Sequence, residues 1–311
     1  MLVRMENEIR NKAGQRRALL FGGSGQIGEP LLAQLLAAGW EVTAVSRQAR
    51  SDTPGVRWVQ ADLYGFWSDG QAFDAVLSCG PLDNFARWYA GSNVRSPRVV
   101  AFSSTSAEVK QDSAEPAERD VARRLQEAEQ LLFMTASERG VAATVLRPTL
   151  IYGAARDKTL TSIARIALRT RVLVLPTCAK GLRQPVHVED LAKAVLQVLP
   201  AASSHAQAYA LGGGEVLPYN LMVRRVLATL RPRPLLLRVP TPLFLWALRK
   251  AHGKGRLLGM NEAVLERMRD PLAFDITPAR RDFGYAPRAF AVRSDMFLGA
   301  RDDNGSGLAE S

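Results

Sequence analysis

The chain has 311 residues, of which 47% are hydrophobic and 23% charged, with a formal net charge of +11. This is the make-up of an ordinary globular protein, long enough for one large domain or two modest ones. No apolar run reaches the roughly 18 residues of a membrane span, and three His with two separated Cys supply no metal-ligand cluster.

Arg carries most of the positive charge. A phosphate-bearing ligand, an anionic membrane face and nucleic acid all suit it. The basic residues are spread along the chain and no nucleic-acid motif is present, so nucleic acid is not expected. Cys79 and Cys178 sit in apolar surroundings and read as buried free thiols of a reducing, cytoplasmic compartment. Residues 1–16 lack the apolar centre of a secretory signal and read as a tail, as do residues 299–311.

In chain order, residues 18–21 form a short apolar run that predicts a buried strand. Gly22, Gly25 and Gly28 follow. Then Ile27, Leu31, Leu32, Leu35 and Leu36 predict an amphipathic helix ending near Gly39, with Pro30 in its first turns. A glycine cluster between a strand and a helix is the setting of a dinucleotide loop: the glycines admit the tight turn and the helix N-terminus favours phosphate. Ser24, Gln26 and Ile27 complete the expected cradle.

A second strand spans residues 41–45. Ser46 and Arg47 follow it, Arg50 is near, and no acid precedes Asp52. An acidic residue here would accept from a ribose hydroxyl, whereas Arg meets a 2′-phosphate. Arg47 therefore favours NADP(H), with NAD(H) still open. Residues 56–62 read as a third strand ending at Asp62, which is placed with Leu63 beside an adenine. Residues 75–78 predict a fourth strand, whose end, Ser78, Cys79 and Gly80, borders the dinucleotide; residues 99–103 predict a fifth.

Residues 17–292 resemble an extended short-chain dehydrogenase/reductase of the NAD-dependent epimerase/dehydratase family. The three-residue glycine spacing carries the likeness. So do residues 100–105 with their Ser103, Ser104 and Thr105, residues 146–153 with Arg147 and Pro148, residues 183–192, and residues 277–285. The resemblance implies a doubly wound parallel Rossmann sheet with a smaller C-terminal α/β substrate lobe. On that reading residues 17–150, completed by about 183–211, bind the dinucleotide. Residues 151–182 and 212–298 cover a small-molecule substrate or effector. Pro148 leads toward the nicotinamide, and Arg183 approaches substrate phosphates.

The family's proton-transfer pair, a Tyr and a Lys four residues later on the helix after the fifth strand, is missing. Residues 118–132 contain neither; Val121 and Leu125 stand at the two positions when Glu129 is matched to the family's Glu. Thr105, Tyr152 and Lys110 are the remaining candidates for catalysis. Each also has a structural reading: a strand-end Thr, a packing Tyr and a solvated Lys. His187 reads as a structural histidine and Asp190 as the cap of the helix that follows it.

Residues 235–258 are apolar and then basic, so they read as a core helix or as an interfacial one with weak peripheral membrane contact. A homodimer is compatible with the sequence. Two functions stay open: an oxidoreductase or epimerase-like enzyme on a phosphate-bearing, sugar-nucleotide-like substrate, and a non-catalytic NADP(H)-binding sensor or assembly factor.

Overall fold

Alternation along the first strand sets the architecture. In the computed structural model, which describes residues 15–63, 65–66, 70–252, 265 and 268–298, Ala18 and Leu20 join one apolar cluster while Leu19 and Phe21 join another. A strand whose two faces both enter a core must lie in a sheet covered on both sides.

The strands are β1 (Arg17–Phe21), β2 (Glu41–Ser46), β3 (Val56–Gln60), β4 (Ala75–Ser78), β5 (Arg98–Phe102) and β6 (Ala142–Pro148). Then come β7 (Ile151–Tyr152), β8 (Val172–Pro176), β9 (Leu182–Arg183), β10 (Val186–His187), β11 (Gln207–Leu211), β12 (Leu217–Pro218) and β13 (Leu235–Val239). Seven of them form one sheet in the order β11-β6-β5-β4-β1-β2-β3, and every pairing in it is parallel. The expected doubly wound Rossmann sheet is thus the observed fold. The order reverses between β1 and β4, which opens a crevice beyond their carboxyl ends, where open α/β sheets take ligands.

Helix α1 (Gly28–Ala37) lies on one face through Leu31 and Leu35. On the other lie α2 (Leu82–Gly91), through Phe85 and Trp88, and, beyond the short α3 (Ser106–Val109), α4 (Pro116–Glu138), through Ala128 and Leu132. A third cluster gathers Tyr152, α5 (Leu160–Thr170), α7 (Tyr219–Thr229), Phe290 and Phe297. Between them α6 (Val188–Val198) returns to the first face, joined by α9 (Thr277–Phe283).

Some boundaries differ from those read in the sequence. The third strand ends at Gln60, not at Asp62. Asp62 lies in the following turn, where its Oδ1 accepts the Gly65 N–H at 2.7 Å; a short acidic side chain that closes a turn on the backbone stops a ladder. Cys79 and Cys178 are free but half-buried. Helix α8 (Thr241–His252) is not a core helix: Leu248 is buried, but Leu243 and Trp246 are exposed. Among the described residues no helix is long and apolar enough to cross a membrane. The basic run expected after α8 and most of both expected tails lie outside the described residues.

One buried cation ties the sheet edge together. Arg98 opens β5 at 5% exposure. It donates to the Ala142 carbonyl at 3.0 Å, Thr144 Oγ1 at 2.9 Å, the Val198 carbonyl at 3.0 Å and Ser204 Oγ at 2.6 Å. Burial pushes its pKa down to about 10. Val198 ends α6, where the helix dipole favours a cation. Arg98→Met should lower the unfolding free energy by about 2–4 kcal/mol, because it orphans several buried acceptors at once. A fall in the urea midpoint at unchanged slope would register it; an unchanged midpoint would show that the network carries no net stability.

Candidate functional site

The loop after β1 turns on Gly22, whose φ of +73° suits glycine. A Cβ on Gly22 would lie 3.0 Å from the Cys79 carbonyl carbon, and one on Gly28 would lie 2.0 Å from the Gly22 carbonyl oxygen. The approach at Gly28 is closed to any side chain, and the one at Gly22 is tight as well as left-handed. The loop is held by the Gly25 N–H on the Gly22 carbonyl at 2.9 Å. Helix α1 begins beyond it with Ile27 at the cap position, which offers its N-terminal amides no side-chain acceptor. This glycine cradle fits a pyrophosphate. At the end of β4 the Ser78 hydroxyl is buried with no hydrogen-bond partner among the described residues.

Arg47 is exposed just past β2. Its neighbour Arg50 is engaged elsewhere, its guanidinium 5.0 Å from the Trp58 ring centre. Asp62 and Leu63 follow β3, with Leu63 packed on the cluster around α2 and α4.

The carboxyl ends of β5 and β6 carry a network that the sequence did not announce. Ser103 Oγ donates to Glu129 Oε1 at 2.6 Å, and Glu129, on α4, is 4% exposed. Arg147 donates from Nε to both Glu129 oxygens at 3.0 and 3.1 Å and pairs also with Glu108. The Glu129 carboxylate raises the Arg147 pKa. Alternation sends Arg147 to the same side of β6 as Val145, toward α4, and that is the signal that pairs it with Glu129. Val121 and Leu125, the residues that the sequence alignment sets against the family's Tyr and Lys, are half-buried on the same helix.

Thr105 is 7% exposed, and its hydroxyl donates to the Pro148 carbonyl at 3.3 Å. It lines a cavity of about 540 Å³ together with Lys110, Lys158, Arg183, Gln184 and Tyr219. Lys110 Nζ reaches Glu118 at 3.1 Å. Arg183 is 6% exposed and donates to the Leu182 and Asp270 carbonyls at 2.6 and 2.8 Å; its guanidinium lies 5.4 Å from the centre of the Tyr219 ring. Burial lowers its pKa. Among the described residues the cavity wall has three cations, Lys110, Lys158 and Arg183, and no carboxylate. Lys158 was missed in the sequence, where nothing distinguishes it from a solvated loop residue.

Tyr152 lies apart from that cavity. It is 1% exposed, with His187 5.1 Å and Phe290 4.9 Å away in edge-on contacts. Burial pushes its hydroxyl up to about 12. Asp190 does not cap the helix after β10. The helix starts at Val188, and His187 caps it, its Nδ1 accepting the Glu189 N–H at 3.2 Å. Asp190, within the first turn, instead takes Arg288 Nε at 2.9 Å. A neutral imidazole nitrogen accepts as an Asn oxygen does, and that displaces the expected start of the helix.

A model of the NAD dependent epimerase/dehydratase family matches residues 18–212. Among curated proteins none matches the chain in sequence. Solved structures share the fold. An epimerase from Methanothermobacter thermautotrophicus is 15% identical, with a TM-score of 0.65, over 92% of this chain and 91% of that one. UDP-glucuronic acid 4-epimerase from Bacillus cereus in complex with NAD is 12% identical, with a TM-score of 0.65, over 90% and 96%. UDP-glucose 4-epimerase with UDP-glucose from Thermotoga maritima is 14% identical, with a TM-score of 0.61, over 91% and 96%.

The cap makes stability depend on pH. Burial, then Arg288, lowers the His187 pKa below its ordinary value. The unfolded chain therefore takes the proton first, and stability is complete above about pH 6.5 and declines as pH falls through that value. His187→Asn keeps a capping acceptor and removes the titration. Denaturation midpoints between about pH 7 and 5 should fall less in this variant than in the wild type. Parallel curves would mean that His187 is not the group responsible.

Proposed function

We propose, from the premise that this chain belongs to the NAD dependent epimerase/dehydratase family, that it binds NADP(H) in the glycine cradle and acts on an anionic, sugar-nucleotide-like substrate in the adjoining cavity. One observation carries the substrate class: Lys110, Lys158 and Arg183 line that cavity with no carboxylate among the described wall residues. A phosphate-bearing molecule supplies the missing negative charge, and the planar fork of Arg183 suits phosphate oxygens. The sugar-nucleotide-binding folds named above support the same class.

Residues 151–182 and 212–298 act as the substrate lobe on this reading. Arg47, exposed beyond β2 where no acid stands, supports the 2′-phosphate of NADP(H). Gly22, Ser24, Gly25, Gln26, Ile27 and Gly28 hold the pyrophosphate, Ser78, Cys79 and Gly80 border it, and Pro148 bounds the nicotinamide end. The dinucleotide, when bound, supplies hydride transfer.

The protein's own contribution is positioning and proton handling. The Thr105 hydroxyl already donates to the Pro148 carbonyl, so its free lone pairs accept from a substrate hydroxyl. Of Lys110 and Tyr152, Lys110 lines the cavity and is the one placed to meet a substrate. Tyr152 sits outside the wall with a pKa of about 12, and a group so far from neutrality transfers protons poorly.

The absence of Tyr and Lys from residues 118–132 favours a second reading, a dinucleotide-loaded sensor or assembly factor with no turnover. Calorimetry and a turnover assay separate the two. NADPH should bind more tightly than NADH, and Arg47→Ala should erase the difference. Lys158→Ala and Arg183→Met should each weaken UDP-glucose binding about tenfold, equal to about 1.4 kcal/mol. Failure of the wild type to bind any uridine diphosphate sugar would end the substrate reading. NADPH binding without turnover on carbonyl and sugar-nucleotide substrates would install the sensor.

A further inference from the structure

The loop between β7 and α5 reaches back to the dinucleotide cradle through one side chain. Arg156 Nη1 donates to the Ser24 carbonyl at 3.0 Å and to Glu29 Oε1 at 3.1 Å. Ser24 lies between Gly23 and Gly25 in the cradle, and Glu29 is in the first turn of α1. A carboxylate there suits the helix dipole but repels a phosphate at the same helix end. Arg156 cancels that charge where a phosphate would meet it.

The guanidinium has donors to spare. Only Nη1 is engaged, while Nη2 and Nε make no hydrogen bond among the described residues, and the side chain is 52% exposed. Unused donors in a fixed fork beside a glycine cradle suit a phosphate oxygen.

The backbone on either side is anchored. The Ala155 N–H donates to the Met296 carbonyl at 2.9 Å. Asp157 is 8% exposed and accepts from the Thr159 N–H at 3.0 Å, the Thr161 N–H at 3.1 Å and the Thr161 hydroxyl at 2.5 Å. Arg156 is thus a long cation on a short, held loop. Two residues on, Lys158 lines the substrate cavity.

We propose that Arg156 is a dinucleotide-binding residue that closes over the pyrophosphate from the opposite side of the cleft, so that one anchored loop carries a cation to the cofactor and another to the substrate. The proposal rests on the reading that the glycine cradle takes a dinucleotide. Arg156 trades part of its contact with Glu29 for phosphate oxygens, and its bond to the Ser24 carbonyl keeps the cradle in register.

Titration of the full chain with NADP+, ADP-ribose and adenosine 2′-monophosphate tests this, with NMR used for the weakest ligand. Arg156→Ala should weaken NADP+ and ADP-ribose, which carry a pyrophosphate, about tenfold. It should leave adenosine 2′-monophosphate, which has none, unchanged, and it should reduce the salt dependence of NADP+ binding. Arg156→Lys should recover part of the loss. Because Arg156 is exposed, a melting temperature close to that of the wild type is expected of the variant. Wild-type affinity for NADP+ in Arg156→Ala, or an equal loss for all three ligands, would overturn the clasp while leaving the cradle intact. A wild-type protein that binds neither NADP+ nor ADP-ribose would overturn the cradle reading and the clasp with it.

Discussion

The contact between Gly28 and the Gly22 carbonyl is the constraint on which the remaining geometry depends. A Cβ at position 28 would come within 2.0 Å of that oxygen and 2.7 Å of the Gly23 Cα. No rotamer change relieves a clash with backbone. The absence of a side chain lets α1 start directly over the end of β1, where the Glu29 N–H donates to the Gly25 carbonyl at 3.0 Å. Gly22 has its own version of the same demand, since it passes against Cys79 and Gly80 at the end of β4. Two strand ends, one helix end and the turn between them are fixed together. Thr105 is placed separately, by its hydroxyl and N–H on the Pro148 carbonyl.

Much of this was legible in the residues because it follows from local rules. Short apolar stretches located β1, β2, β4 and β5 to within a residue or so, and the strand–glycine–helix order located the cradle. What escaped was set by partners distant in the chain. Asp190 has every local mark of a helix cap, yet Arg288 claims its carboxylate, while His187 caps with a ring nitrogen that composition rules overlook. Asp62 looked like the end of a strand but closes a turn on Gly65. Tyr152, by contrast, takes the packing role that the sequence also offered for it, its ring in an apolar cluster with Phe290. Lys158 could not be told from a solvated lysine, since its place in the cavity wall depends on how α5 packs on α7.

Helix α4 ties the ends of two central strands together through one buried carboxylate. Val121 and Leu125 are half-buried on this helix, and Glu129 on the same helix is the hub. Ser103 and Arg147 both bind that buried carboxylate, so the ends of β5 and β6 are joined through α4. A buried carboxylate without such partners would be costly by several kcal/mol. The helix therefore supports the ends of both strands.

The cations that face the cleft sit on loops and on a short strand, and each is held by something other than its own helix. Lys110 is tied to Glu118, Arg183 to two backbone carbonyls, and Lys158 to the frame that Asp157 makes with the start of α5. This arrangement answers a physical difficulty. Several like charges around one cavity repel each other, and flexible lysines would swing away into water. Anchoring the backbone on each side removes part of that freedom before any ligand arrives, so less ordering entropy is lost on binding. Glu118 offsets the charge of Lys110, which leaves less repulsion for the anchored backbone to withstand.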